Sequence, residues 1–207
     1  VPALEAFDSQ LKGTGDRAIS TTMAFVRILG TLLKDPQVGR LVVPIVPDES
    51  RTFGMEGLFR QIGIHSHVGQ LYTPQDAGTL SYYKESTDGQ IMQEGLNESG
   101  ATSSWIAAST AYANHGVMTL PFYIFYSMFG FQRDGMRRMY AEQEDVYYYI
   151  TVLNENYAHP AMPEGAEQGI LKGLYRLAVE KPLQGERHVQ LMGSGSILNE
   201  VLAAADI

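Results

Sequence analysis

The run Arg40-Leu41-Val42-Val43-Pro44-Ile45-Val46 constrains the fold more than any other stretch of the chain. It is short, apolar and rich in β-branched residues, so it has no wet face to alternate with a dry one. A strand of that kind needs cover on both sides, which a parallel sheet between helices provides. Asp48-Glu49 follows at once, at the strand end where open α/β sheets present groups to ligands. A helix N-cap and a surface salt bridge would explain an acidic pair there equally well.

The remaining segments extend the same pattern. Hydroxyls of Ser20-Thr21-Thr22 suit an N-cap, and the apolar spacing that follows predicts a helix over 20–34, ended by Asp35-Pro36. A loop region holding Gly54, Gly57 and Gly63 leads to a second short strand, Gln90-Ile91-Met92-Gln93, with Glu98 just beyond it. Small residues over 99–113 predict a helix lying close to a sheet, with Trp105 as its bulky anchor. A third strand is expected over 118–126, with Pro121 near its beginning, then a helix over 136–142 and an aromatic, β-branched strand over 145–153. A crossing loop over 154–167 precedes a helix over 169–179, and a strand, turn and helix over 188–205 open a further unit. The expected fold is α/β, a mostly parallel sheet flanked by helices, with one domain over 1–183 and the start of a second over 184–207.

Charge and composition narrow the function classes. A net charge of -8 disfavours general affinity for nucleic acid, and the basic pair Arg137-Arg138 beside Met136 and Met139 reads as the wet side of an amphipathic helix. No apolar run approaches the roughly 20 residues that span a bilayer. The opening residues lack the basic-then-apolar layout of a signal peptide, so neither membrane association nor export is expected, and the cytoplasm is. Without cysteine there is no disulfide and no thiolate metal site.

Local chemistry is suggestive at a few places. Gly193-x-Gly195 before a helix resembles a phosphate-binding turn, but Leu198 stands where a dinucleotide fingerprint has its third glycine, and a plain tight turn is the simpler reading. His65-x-His67 has no further ligand at an evident metal spacing, which favours exposed loop histidines. Taken alone, Glu98 at the start of a helix is explained by the positive end of the helix dipole.

Long motifs in fixed order add to this reading. They are Ser20-Thr21-Thr22-Met23-Ala24-Phe25-Val26-Arg27, Arg51-Thr52-Phe53-Gly54-Met55-Glu56-Gly57-Leu58-Phe59-Arg60-Gln61, Tyr126-Ser127-Met128-Phe129-Gly130-Phe131-Gln132-Arg133 and Val146-Tyr147-Tyr148-Tyr149-Ile150-Thr151. Together they resemble the homodimeric bacterial pyruvate dehydrogenases, the decarboxylating component of the pyruvate dehydrogenase complex. The resemblance implies the pyrimidine-binding middle domain of a thiamine diphosphate-dependent enzyme plus the opening of the domain after it. Pyruvate is then the substrate, and the lipoyl group of the dihydrolipoyl acetyltransferase component is the acetyl acceptor. It further implies that Glu98, in Gln93-Glu94-Gly95-Leu96-Asn97-Glu98, hydrogen-bonds a pyrimidine nitrogen. Sharing a proton there favours the imino form that generates the reactive ylid, a role suited to a partly buried glutamate with a raised pKa. Phe129 matches an aromatic residue on the pyrimidine face, Tyr126 lies on the same segment, and Asp48 and Glu49 match acidic residues lining the active site. Pro47 and Ser50 stand where the family has alanines.

Two departures accompany the resemblance. A family segment containing a helix, a strand and a glycine-rich, histidine-bearing loop is absent between Arg133 and Asp134. Its removal takes a strand from the sheet and uncovers apolar faces, which is not expected of a natural folded domain. The diphosphate-binding domain, where the Mg2+ ligands are expected, is also absent, so no metal ligand is assigned and the fragment alone is not expected to decarboxylate pyruvate. The rival readings are a related 2-oxo acid or ketol-transferring enzyme of the same fold, and a non-catalytic fragment that binds no cofactor.

Overall fold

A computed structural model describes residues 2–75, 77, 82–125, 143–144, 151–178 and 189–206. In chain order the elements are α1 (Asp8–Leu11), α2 (Thr21–Leu32), β1 (Val42–Val46), α3 (Phe59–Ile62), β2 (Ile64–His65), β3 (Glu85–Ser86), β4 (Met92–Gln93), α4 (Glu98–His115), β5 (Leu120–Tyr123), α5 (Glu167–Leu171) and α6 (Ile197–Ala205).

Ser20 starts α2 as expected, its Oγ accepting from the Met23 amide at 3.1 Å. Phe25, Val26, Leu29 and Leu32 fall on one face of the helix and are buried. The Asp35 side chain then accepts from the Val38 and Gln37 amides, which turns the chain towards β1 and holds the Asp35 carboxyl below its ordinary pKa. Val42, Ile45 and Val46 are fully buried, as the unbroken apolar run requires.

The central sheet has the order β4-β1-β5, and every pairing in it is parallel. Ile45 and Val46 pair with Met92 and Gln93 on one side, while Val42 to Ile45 pair with Leu120 to Tyr123 on the other. A second parallel pair, β2 and β3, lies alongside through the Ile64–Ile91 bridge, where the His65 amide donates to Ile91 O at 2.8 Å. One apolar cluster joins the buried face of α2 to Val42, Val46, Leu58, Phe59, Ile64, Ile91 and Leu120. α4 packs against β1, β4 and β5, giving the helix-flanked parallel sheet the sequence predicts.

The differences from expectation are instructive. The helix expected over 169–179 is only Glu167–Leu171. Gly173, at φ +85°, closes it: the Gly173 amide donates to Ile170 O and the Leu174 amide to Gly169 O, both at 3.0 Å, and this left-handed cap ends the helix. No strand forms over 189–196, where Val189, Leu191 and Met192 are exposed and no strand among the described residues offers a ladder, whereas the following helix is present as α6. The third expected strand is shortened to β5. The helix over 136–142, with Arg137 and Arg138, and most of the strand over 145–153 lie outside the described residues; 151–153 is not a strand.

After that, the crossing loop runs back along the N-terminal segment. Ile19 and Tyr157 form an antiparallel bridge, the Thr14 amide donates to His159 O at 3.2 Å, and the Met162 amide donates to Leu11 O at 2.9 Å. Among the described residues no helix is long and apolar enough to cross a membrane.

Candidate functional site

Because all three strands of the central sheet run parallel, their carboxyl ends lie at one edge, and Asp48, Glu49 and Glu98 follow the strands there. From β1, the chain passes through buried Pro47 to Asp48 and Glu49. Asp48 Oδ1 accepts from the Glu49 amide at 2.7 Å, and Glu49 Oε2 lies 3.7 Å from Arg51 Nε. From β4, the chain turns through Gly95 and Leu96, both at positive φ, to Asn97, whose Oδ1 accepts from the Gly100 amide at 2.9 Å and caps α4.

Backbone bonding ties these two turns together. The Asn97 amide donates to Pro47 O at 3.0 Å, so the residues next in sequence, Asp48 and Glu98, are carried on directly bonded segments. β5 reaches the same place, since Tyr123 Oη donates to Glu98 O at 3.3 Å and its ring stacks on Phe125 with centroids 4.7 Å apart.

Glu98 is the first residue of α4 and is exposed. Its carboxylate makes no hydrogen bond or ion pair among the described residues, whereas nearby Glu94 is occupied by the Ser104 hydroxyl. The partial burial that the expected role calls for is therefore not supplied by these residues. Tyr126 and Phe129 lie outside the described residues.

His65 and His67 are both exposed, His65 on β2, and among the described residues no group of three or more His, Cys, Asp or Glu is placed to hold a metal ion. Gly195, at φ +59°, makes a turn in which the Leu198 amide donates to Gly195 O. Sequence reasoning missed a polar layer behind the acidic pair. Ser50 is fully buried, and both its amide and its hydroxyl donate to Gln93 Oε1, at 2.9 and 3.0 Å. The one available signal was a polar residue where the family resemblance expects alanine.

This is an α/β domain whose acidic side chains face outward at the carboxyl ends of adjacent parallel strands, the edge at which such sheets bind ligands. The family model described as the pyruvate dehydrogenase E1 component middle domain matches residues 1–135 and 133–160, and the chain belongs to that family. Pyruvate dehydrogenase E1 components of Cupriavidus necator, Pseudomonas aeruginosa and Escherichia coli K12 are 49%, 46% and 44% identical to it over its whole length. The chain spans only about 30% of the length of these relatives. The C. necator alignment covers 273 positions, 66 more than the chain has residues. The two family matches meet at 133–135, where the sequence motifs place the missing segment.

Proposed function

We propose that the protein to which this chain contributes uses the carboxyl-end cluster as the pyrimidine half of a thiamine diphosphate site. In this reading it decarboxylates pyruvate and transfers the acetyl group to the lipoyl group of a dihydrolipoyl acetyltransferase component. The observation that carries the proposal is the Glu98 carboxylate, unpartnered among the described residues and fixed beside the Asp48 turn by the Asn97–Pro47 bond. An unoccupied carboxylate at that edge fits a ring nitrogen that must share a proton, whereas one oxygen of Glu94 already accepts from Ser104.

When bound, the cofactor supplies a nucleophilic carbon for the 2-oxo group and a sink for the electrons left as carbon dioxide departs. Glu98 holds the shared proton at its carboxylate oxygen. Asp48 and Glu49 line the substrate side, and Phe129 and Tyr126 are the cofactor-binding aromatics that the family resemblance assigns. Exclusion of water from Glu98 falls to parts of the protein beyond these residues, consistent with a homodimer in which Mg2+ and the diphosphate are held by another domain. The compartment is the cytoplasm.

Glu98→Ala in the full-length protein is expected to lower thiamine-dependent turnover of pyruvate by at least about 100-fold while leaving the dimer intact. Near-normal turnover in that variant removes Glu98 from the mechanism. Failure of the unaltered full-length protein to consume pyruvate removes the reaction.

A further inference from the structure

A line of hydrogen bonds runs from the surface to buried Ser50 without touching any of the acidic side chains at the strand ends. Tyr72 and Tyr83 both donate to Glu85 Oε1, at 2.8 and 2.9 Å. The Tyr83 oxygen accepts from Gln93 Nε2 at 3.2 Å, and Gln93 Oε1 accepts from both donors of Ser50. The Glu85 amide is anchored to Gln70 Oε1 at 3.0 Å, and the Arg51 guanidinium lies over the Tyr83 ring, 5.7 Å from its centroid.

Each bond in this line fixes the direction of the next. An ionised carboxylate only accepts, so both phenols must donate to Glu85. Having used its proton, Tyr83 offers only lone pairs to Gln93, and the amide must present Nε2 to Tyr83 and Oε1 to Ser50. Both phenols stay protonated: burial and then the bond to Glu85 push Tyr83 up, and the bond to Glu85 followed by burial pushes Tyr72 up.

Without the carboxylate, the Tyr83 hydroxyl is free to donate to Gln93. The amide would then flip and set Nε2 against the Ser50 amide, leaving that buried donor unpaired, since only the Ser50 hydroxyl could turn to accept. Ser50 directly follows Glu49, and the Thr52 hydroxyl donates to Glu49 O within the same turn, so displacement of Ser50 moves the turn that carries the acidic pair.

We infer that Glu85 is a positioning residue, which through Tyr83 and Gln93 fixes the Ser50 amide and so the placement of Asp48 and Glu49. The inference rests on the proposed reaction only for its kinetic readout.

The test uses the full-length protein with Glu85→Ala, Glu85→Gln, Tyr83→Phe and the double variant Glu85→Ala/Tyr83→Phe. In hydrogen exchange, Glu85→Ala and Tyr83→Phe are expected to lower protection of the Ser50 amide by about 10-fold, with α2 amides unchanged. Glu85→Gln, whose carbonyl can still accept from both phenols, is expected to restore it. The double variant is expected to match the single ones, because both act along one line. Kinetically, Glu85→Ala is expected to lower kcat for pyruvate by on the order of 10-fold with cofactor affinity unchanged, the signature of displaced rather than lost groups. Unchanged Ser50 protection in Glu85→Ala overturns the inference, as does a double variant whose loss is the product of the single losses. If the unaltered protein does not turn over pyruvate, the proposed function fails and the exchange result still decides the role of Glu85.

Discussion

The residues before the missing segment and those after it obey different physics. Nearly every buried apolar side chain lies between Phe25 and Leu120, in one cluster that joins α2 to the sheet. Downstream, among the described residues, only Ala166 is buried, while Leu174 and Val189 are 70% and 79% exposed. The upstream region closes a core of its own. The described downstream residues meet the upstream region through backbone and hydroxyl bonds: Leu153 O accepts from the Thr22 amide and hydroxyl, Ile19 and Tyr157 pair, and His159 and Met162 bond to Thr14 and Leu11. Among the described residues, the upstream region is thus joined by buried apolar contact, and the downstream region meets it through hydrogen bonds while exposing apolar side chains such as Leu174 and Val189.

The same substitution on either side is the most direct way to break this comparison. Leu29→Ala empties a fully buried position and is expected to cost about 2–5 kcal/mol in urea unfolding. Leu174→Ala is expected to stay within about 0.5 kcal/mol. Equal losses would mean that the downstream region has a core after all.

A smaller effect sharpens the account of how the two regions are joined. Gly13 sits at φ +76°, and a Cβ there would come within 2.8 Å of both Ala161 N and His159 O. Gly13→Ala is therefore expected to lift residues 157–162 off the N-terminal segment at a cost of about 1–3 kcal/mol. Limited proteolysis should show faster cleavage within 157–162 while the core fragment persists, and unchanged cleavage would show that other contacts hold the loop.

Legibility followed the range of the interactions. Ser20, the stripe of α2 and the apolar run of β1 are local patterns, and each became the element its pattern predicts. Asp48 and Glu98 were legible as carboxylates past strand ends, because a parallel sheet fixes which end they share. β2 and β3 were not, since two residues each carry no periodicity and they exist only where Ile64 meets Ile91 and Lys84. The line from Tyr72 to Ser50 draws on residues up to 43 positions apart and left no pattern beyond one serine in place of an expected alanine. The early end of α5 is different in kind: Gly173 is a stop signal visible in the sequence, and its left-handed cap ends the helix before the apolar residues that follow.

The smallest effect concerns the turn that delivers Glu98. Leu96 holds φ +40° with its side chain 87% exposed, directly after Gly95 at φ +55°. A left-handed backbone costs an ordinary L residue roughly 1–2 kcal/mol, and asparagine recovers part of that through local hydrogen bonding. Leu96→Asn is therefore expected to raise stability by about 0.5 kcal/mol, read as a higher urea midpoint with unchanged slope. The upstream core tolerates this strain because the turn is pinned on both sides, by the Glu94 amide on Val46 O and the Asn97 amide on Pro47 O. If the more stable variant also loses turnover in the full-length protein, the exposed leucine contributes to the site and the strain is retained for function. If turnover is unchanged, the left-handed turn serves only to bring Asn97 and Glu98 to the head of α4, a task asparagine performs with less strain.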